Sequence, residues 1–363
     1  MVMAGRPEVR TASGPITAVD TLALAQQLGA ALARVPFRHP LRGGSTPWAN
    51  LGTSVTREVV RSFMGYTSSL PVEEFRSIEQ LLDDLCRVVM PPVVRAFDVD
   101  QRPAELGGVP GVLFVPRGHA PRGVILYLHG GGYIGTSPTM YSFFTARLCQ
   151  ETRCAVFVAD YRLAPEFPYP AGLEDAAAVL AELVRRGAPS ERLFLAGDSG
   201  GGGLATSLVL ATPSHVDLEV PTGVILFSPE VDLRLDQPSV ADNAARDILP
   251  WNIPTAAYLH GVDPADGSVS AAVAELGDFP PTFVAWGDEE MFRDPIREFV
   301  ARLEKAGVPT EPHEAEGMFH VFPILMPWAD ASRAVYRGVA RFVDARLEAA
   351  PHLHPRAVDG IGD

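Results

Sequence analysis

Ser199 sits in the run Gly197-Asp198-Ser199-Gly200-Gly201, which fits G-x-S-x-G. That spacing marks a sharp strand-to-helix turn that holds a serine hydroxyl out as a nucleophile, with glycines where side chains would collide with neighbouring strands or substrate. A serine hydroxyl attacks poorly near neutral pH unless a base takes its proton and a carboxylate steadies that base. Two downstream histidines qualify as the base: His320, in the loop Gly317-Met318-Phe319-His320, and His313, within an expected edge strand. Carboxylates cluster nearby in sequence at Asp288, Glu289, Glu290 and Asp294. A second glycine run, His129-Gly130-Gly131-Gly132, would let backbone N–H groups approach a developing oxyanion. The same run could instead nest a phosphate, but no Gly-Lys-Ser/Thr follows it in P-loop fashion.

Both runs need strands behind them. Val124-Ile125-Leu126-Tyr127-Leu128 leads into His129, and Leu193-Phe194-Leu195-Ala196 leads into the serine turn. Further apolar runs at 155–158, 224–227 and 282–285 read as strands buried on both faces. A strand pair is expected at 95–99 and 111–115, and an edge strand at 310–315. Helical patterns at 142–150, 171–186, 204–211 and 329–347 alternate with the strands, which predicts right-handed βαβ units around a mostly parallel sheet. Residues 1–90 read as a helical region contributing to a cap, with patterns at 55–66 and 72–89, the second stopped by Pro91-Pro92. A loop is expected at 36–47. The catalytic domain is expected over 91–350, with 230–280 as a further covering segment. Residues 351–363 are expected to be a mobile tail, with His352 and His354 in solvent rather than on a metal.

Three motifs occur in order: His129-Gly130-Gly131-Gly132, then Asp160-Tyr161-Arg162-Leu163-Ala164-Pro165-Glu166, then Gly197-Asp198-Ser199-Gly200-Gly201. Over residues 95–345 the chain resembles the hormone-sensitive-lipase-like (class IV bacterial) esterases of the α/β-hydrolase superfamily. The resemblance implies a mostly parallel central sheet flanked by helices, with a helical cap. It also implies the chain order nucleophile, acid, histidine, hence Ser199 as nucleophile and His320 as base. The family's Asp-x-Leu-x-Asp pattern, aligned on Asp294, puts Glu290 in the acid position, with Asp288 as the alternative. Oxyanion donation falls to the backbone N–H groups of Gly131, Gly132 and Gly200. Gly200 stands where the family usually has alanine, so a looser hole is expected. His129 and Gly130 complete the first motif, Asp198 is expected to buttress the serine turn, and residues 161–166 to shape a turn beside it.

The activity so implied is hydrolysis of short- to medium-chain carboxylic esters through an acyl-enzyme, with no metal or organic cofactor. The partner is then a small-molecule ester, and a homodimer is one assembly the family adopts. A lactonase or amidase could use the same three residues, and a ligand receptor on this fold would have lost them. At 363 residues the chain has room for one large α/β domain with an appendage. Its formal net charge of −14 argues against nucleic acid or an anionic membrane surface as partner. Cys86, Cys149 and Cys154 lack C-x-x-C spacing and read as reduced thiols. No membrane insertion and a cytoplasmic location are expected, because Gln26-Gln27 interrupts the N-terminal apolar run and Leu24, Leu28, Leu32 and Val35 recur at helical spacing. Phe37, Trp48, Phe63, Trp251, Tyr258, Met318 and Phe322 are candidates either for an apolar acyl pocket or for core.

Overall fold

The computed structural model describes residues 9–35, 46–212, 218–250, 252–253 and 255–349. Phe37, Trp251, nearly all of the 36–47 loop and the 351–363 tail lie outside them. Three long helices come first: α1 (Gly14–Arg34), α2 (Pro47–Thr67) and α3 (Val72–Val94). By length and composition α1 is apolar enough to cross a membrane, its 21 residues carrying only Asp20 and Arg34 as charges. The third helix runs through Pro91 and Pro92 rather than ending before them. The two prolines remove N–H groups only near the helix end, and the Arg95 N–H still closes on the Pro91 carbonyl at 3.1 Å.

Among the described residues eight strands follow in one sheet: β1 (Val99–Leu106), β2 (Val109–Pro116), β3 (Val124–Leu128), β4 (Ala155–Ala159), β5 (Leu193–Asp198), β6 (Gly223–Phe227), β7 (Thr282–Gly287) and β8 (Thr310–Ala315). Their spatial order is β1-β2-β4-β3-β5-β6-β7-β8. Only β2 runs antiparallel to its neighbours; the rest pair in parallel. The strand expected at 95–99 is β1 instead. It has no apolar run because it is the sheet edge, and it turns into β2 through Gly107-Gly108, both at positive φ.

Helices α4 (Ser142–Thr152), α5 (Ala171–Arg185), α6 (Ser199–Ala211), α7 (Pro238–Asp242), α8 (Thr255–Leu259), α9 (Arg293–Lys305), α10 (Phe322–Leu325) and α11 (Asp330–Ala349) fill the connections. The central strands are buried on both faces, and their side chains alternate between two cores. Val124, Leu126 and Leu128 of β3, with Leu193 and Leu195 of β5, face a core shared with α5, α6 and α9. Ile125, Tyr127, Phe194 and Ala196 face the other, shared with α4 and α11. Full burial of one such side chain contributes about 1.5–3 kcal/mol. Phe322 belongs to this second core, and Trp48 is 82 % exposed. Cys149 and Cys154 are buried free thiols, and Cys86 is half-buried and free.

Candidate active site

Strand register decides which loops meet. Leu128 pairs with Gly197, so the chain leaving β3 at His129 emerges beside the chain leaving β5 at Ser199. Phe227 pairs with Asp198, which puts Ser228 next in line. Gly287 pairs with Ala315, so the loops carrying Glu290 and His320 leave the sheet side by side. All of these are C-terminal ends of parallel strands, the edge of an open α/β sheet where ligands bind.

Ser199 opens α6 with φ of 51°, a left-handed conformation unusual for a side-chain-bearing residue. Its carbonyl accepts the Glu230 N–H at 2.9 Å. Its Oγ lies 2.8 Å from His320 Nε2, 121 residues away in sequence. The imidazole is buried and meets the Phe292 ring at right angles, centroids 5.1 Å apart. Burial holds its pKa below the usual histidine value, while the charges of Asp247 and Asp198 pull the other way.

Glu290 faces the far ring nitrogen: its Oε2 lies 3.6 Å from His320 Nδ1, longer than a hydrogen bond. Such contacts are often loose before substrate binds. Burial pushes the Glu290 carboxyl up to about 8, and the Ser228 hydroxyl opposes the shift. Asp288 is engaged elsewhere, its Oδ1 accepting the Gly317 N–H at 2.6 Å. Glu289 pairs with Arg57 of α2 at 3.3 Å, and Asp294 accepts the Ser239 N–H at 3.0 Å. His313 lies on β8 against Phe283.

On the β3 side, Gly131 has φ of 118°, and a Cβ there would meet the Gly135 carbonyl oxygen at 2.2 Å. The N–H groups of Gly131 and Gly132 donate to no acceptor among the described residues. Gly200 occupies the first turn of α6, where an N–H has no intrahelical acceptor. Its Cα faces the same loop: a Cβ would lie 3.0 Å from the Tyr133 nitrogen. The glycine run is therefore packed against the loop rather than slack, and Tyr133 is itself stacked on Tyr258 at 3.8 Å.

Asp198 ties this loop to the sheet. Its Oδ1 accepts from the Tyr127 hydroxyl at 2.8 Å and the Gly130 N–H at 2.9 Å, and its Oδ2 from the Tyr141 hydroxyl at 2.8 Å. Burial raises its pKa to about 6 against those bonds. His129 is held neutral by burial, its pKa down to about 4, with Nδ1 within 2.9 Å of the Gly130 carbonyl oxygen. Tyr161 stacks on His129 and donates its hydroxyl to the His129 carbonyl at 2.6 Å.

Two polar groups at the centre carry no sequence signal. Asp247, wholly buried, accepts the His320 N–H at 2.9 Å and the Met291 N–H at 2.7 Å. It falls in the irregular covering segment, where no spacing singles it out. Ser228 accepts the Val321 N–H at 3.0 Å from a left-handed φ of 44°. Only its position directly after a buried strand hints at a role.

A family model described as alpha/beta hydrolase fold matches residues 125–324. The chain is 36 % identical over 205 residues to an acetyl-hydrolase of Streptomyces hygroscopicus, covering 54 % of this chain and 67 % of that protein. It is 31 % identical over 315 residues to carboxylesterase NlhH of Mycobacterium tuberculosis, covering 80 % of this chain and 88 % of the relative. Its backbone is similar to that of EstE7, a homologue of hormone-sensitive lipase from a metagenome library. That match has a TM-score of 0.66 and 30 % identity over 75 % of this chain and 98 % of the other.

Proposed function

Because the chain belongs to the alpha/beta hydrolase fold family and is a carboxylic-ester hydrolase like the hormone-sensitive-lipase group, we propose that it cleaves short- to medium-chain esters through an acyl-enzyme on Ser199. Ser199 Oγ attacks the ester carbonyl carbon while His320 Nε2 takes its proton. Glu290 steadies the resulting imidazolium through Nδ1. The N–H groups of Gly131, Gly132 and Gly200 receive the negative charge that develops on the carbonyl oxygen. His320 then gives its proton to the leaving alcohol, and water activated by the same imidazole releases the acid. In this reading the N-terminal helices and the 230–280 segment form the cap.

The observation that carries the reading is the 2.8 Å approach of Ser199 Oγ to His320 Nε2, from a strained turn beside donors with no acceptor among the described residues. Burial of the His320–Glu290 pair fits it too. Charge is costly for either group alone there, and the cost falls when imidazolium and carboxylate form together. The test is hydrolysis of p-nitrophenyl esters from acetate to palmitate by wild type and Ser199→Ala. The expected result is a short- or medium-chain optimum and a loss in kcat of up to ~10⁶-fold in the variant. Turnover that survives Ser199→Ala would remove the serine from the mechanism. Absence of turnover on every ester by folded wild type would shift the reading to lactones or amides.

A further inference from the structure

We propose that Asp247 is a positioning residue that holds the loop carrying His320 and the loop carrying Glu290 in one register. The inference rests on the roles given above to Ser199, His320 and Glu290. Asp247 lies at the end of a short turn that begins at Asn243, whose carbonyl accepts the Asp247 N–H at 2.9 Å. One carboxylate spans both loops: Oδ1 accepts the backbone N–H of His320 at 2.9 Å and of Ile248 at 2.7 Å, and Oδ2 accepts that of Met291 at 2.7 Å. The same turn grips the acid loop again, because Asn243 Nδ2 donates to the Glu290 carbonyl at 2.9 Å. From the N-terminal side, Arg61 of α2 donates to the Asp247 carbonyl at 2.7 Å.

The bonds to His320, Met291 and Glu290 fix backbone at or next to a reacting group while leaving the imidazole and the Glu290 carboxylate unshared. Without them the Nδ1–Oε2 separation, already 3.6 Å, has no fixed value. Asp247 also acts on the imidazole through its charge. The groups facing His320 are Ser199 at Nε2, Glu290 at Nδ1, the Phe292 ring, and the carboxylates of Asp247 and Asp198. Removing the Asp247 charge leaves burial less opposed.

Asp247→Asn tests this. An amide keeps the shape but turns one acceptor into a donor facing an N–H, so one of the two loops is released. The assay is hydrolysis of p-nitrophenyl butyrate across pH, with active sites counted by a serine-directed fluorophosphonate and with Glu290→Gln and Ser199→Ala run alongside. The expected result is a fall in kcat of about 10²-fold per titrated site, the scale of a small misplacement, with KM little changed. The acid limb of kcat/KM is expected to move to lower pH. Unchanged kcat and an unmoved limb would overturn the proposal. So would fewer titratable sites that each turn over at the wild-type rate, since that is a purely structural defect. A harmless Glu290→Gln beside an inactive Asp247→Asn would make Asp247 itself the acid, and an active Ser199→Ala would remove the underlying mechanism instead. Should Asp247→Asn fail to fold, Asn243→Ala decides: a loss in kcat at constant KM and an unmoved limb supports the clasp, and wild-type kcat overturns it.

Discussion

Glu290 and Asp288 stand two positions apart and do different things. Glu290 is buried with its carboxylate toward His320 Nδ1, whereas Asp288 is half-buried and accepts the Gly317 N–H, bracing the histidine loop from outside. If Glu290 orients the imidazole, Glu290→Gln puts an amide against Nδ1 and removes the charge that balances the imidazolium. The expected fall in kcat is about 10³- to 10⁴-fold. Asp288→Asn loses one backbone hydrogen bond and should cost far less. Steady-state kinetics of the two variants on one ester decide it, and a more damaging Asp288→Asn would reverse the assignment. A glutamate at this position is one methylene longer than the family's usual aspartate, so its carboxylate reaches the ring from a different backbone distance. Nothing in residue type alone distinguishes the two acids. Alignment on Asp294 favours Glu290, whose Oε2 lies 3.6 Å from Nδ1.

At the scale of elements, α3 is bound to the segment after the glycine run by a cluster of side chains centred on Arg76. Arg76 donates to both oxygens of Glu166, at 3.0 and 2.7 Å, to Glu79 at 2.8 Å, and to the carbonyls of Ala164 and Ile134. Glu79 in turn accepts the Thr136 N–H. Ile134 and Thr136 lie two and four residues after the glycine run, so this buried arginine joins an N-terminal helix to the loop that faces Ser199. Replacing it leaves two carboxylates without their cation. Arg76→Met is therefore expected to destabilise the fold by about 3–5 kcal/mol, whereas Arg87→Met, which removes an exposed pair with Asp83, should cost no more than about 1 kcal/mol. Urea denaturation of both variants checks this, and equal losses would mean Arg76 is no more than a surface pair. Elements of this kind divide by how the sequence announces them. The central strands β3 to β7 are legible because burial on both faces demands unbroken apolar runs. The edge strand β1 is not, because one side meets solvent and Asp100-Gln101-Arg102-Pro103 reads as loop. The last turn of α3 contradicts a local proline rule that the rest of the helix outweighs. Asp247 and Arg76 were invisible for a third reason: their partners are backbone groups and acids distant in the chain, which no spacing records.

At the scale of the whole molecule, the formal net charge of −14 is accompanied by several carboxyls that burial has raised. Asp198 and Asp247 stand at about 6, Glu79 at about 7 and Glu230 at about 8. A group whose folded pKa exceeds its unfolded value contributes stability that is full below the unfolded pKa and is lost as pH rises through the folded one. Asp198, Asp247 and Glu79 accept hydrogen bonds from backbone or side-chain donors, which offset part of that loss. Glu230 differs. It is 1 % exposed, burial alone raises it, and its Oε1 has no hydrogen-bond partner among the described residues. Its window therefore opens near 4.5 and closes at about 8, and within it ionisation costs on the order of 1 kcal/mol per pH unit. Glu230→Gln keeps the volume and cannot ionise, so it should match wild type in stability near about pH 4.5 and exceed it by a margin that grows until about pH 8 and is constant above. Thermal unfolding at several pH values measures the margin. Parallel curves would mean that Glu230 ionises in the folded state at no cost and would overturn this expectation.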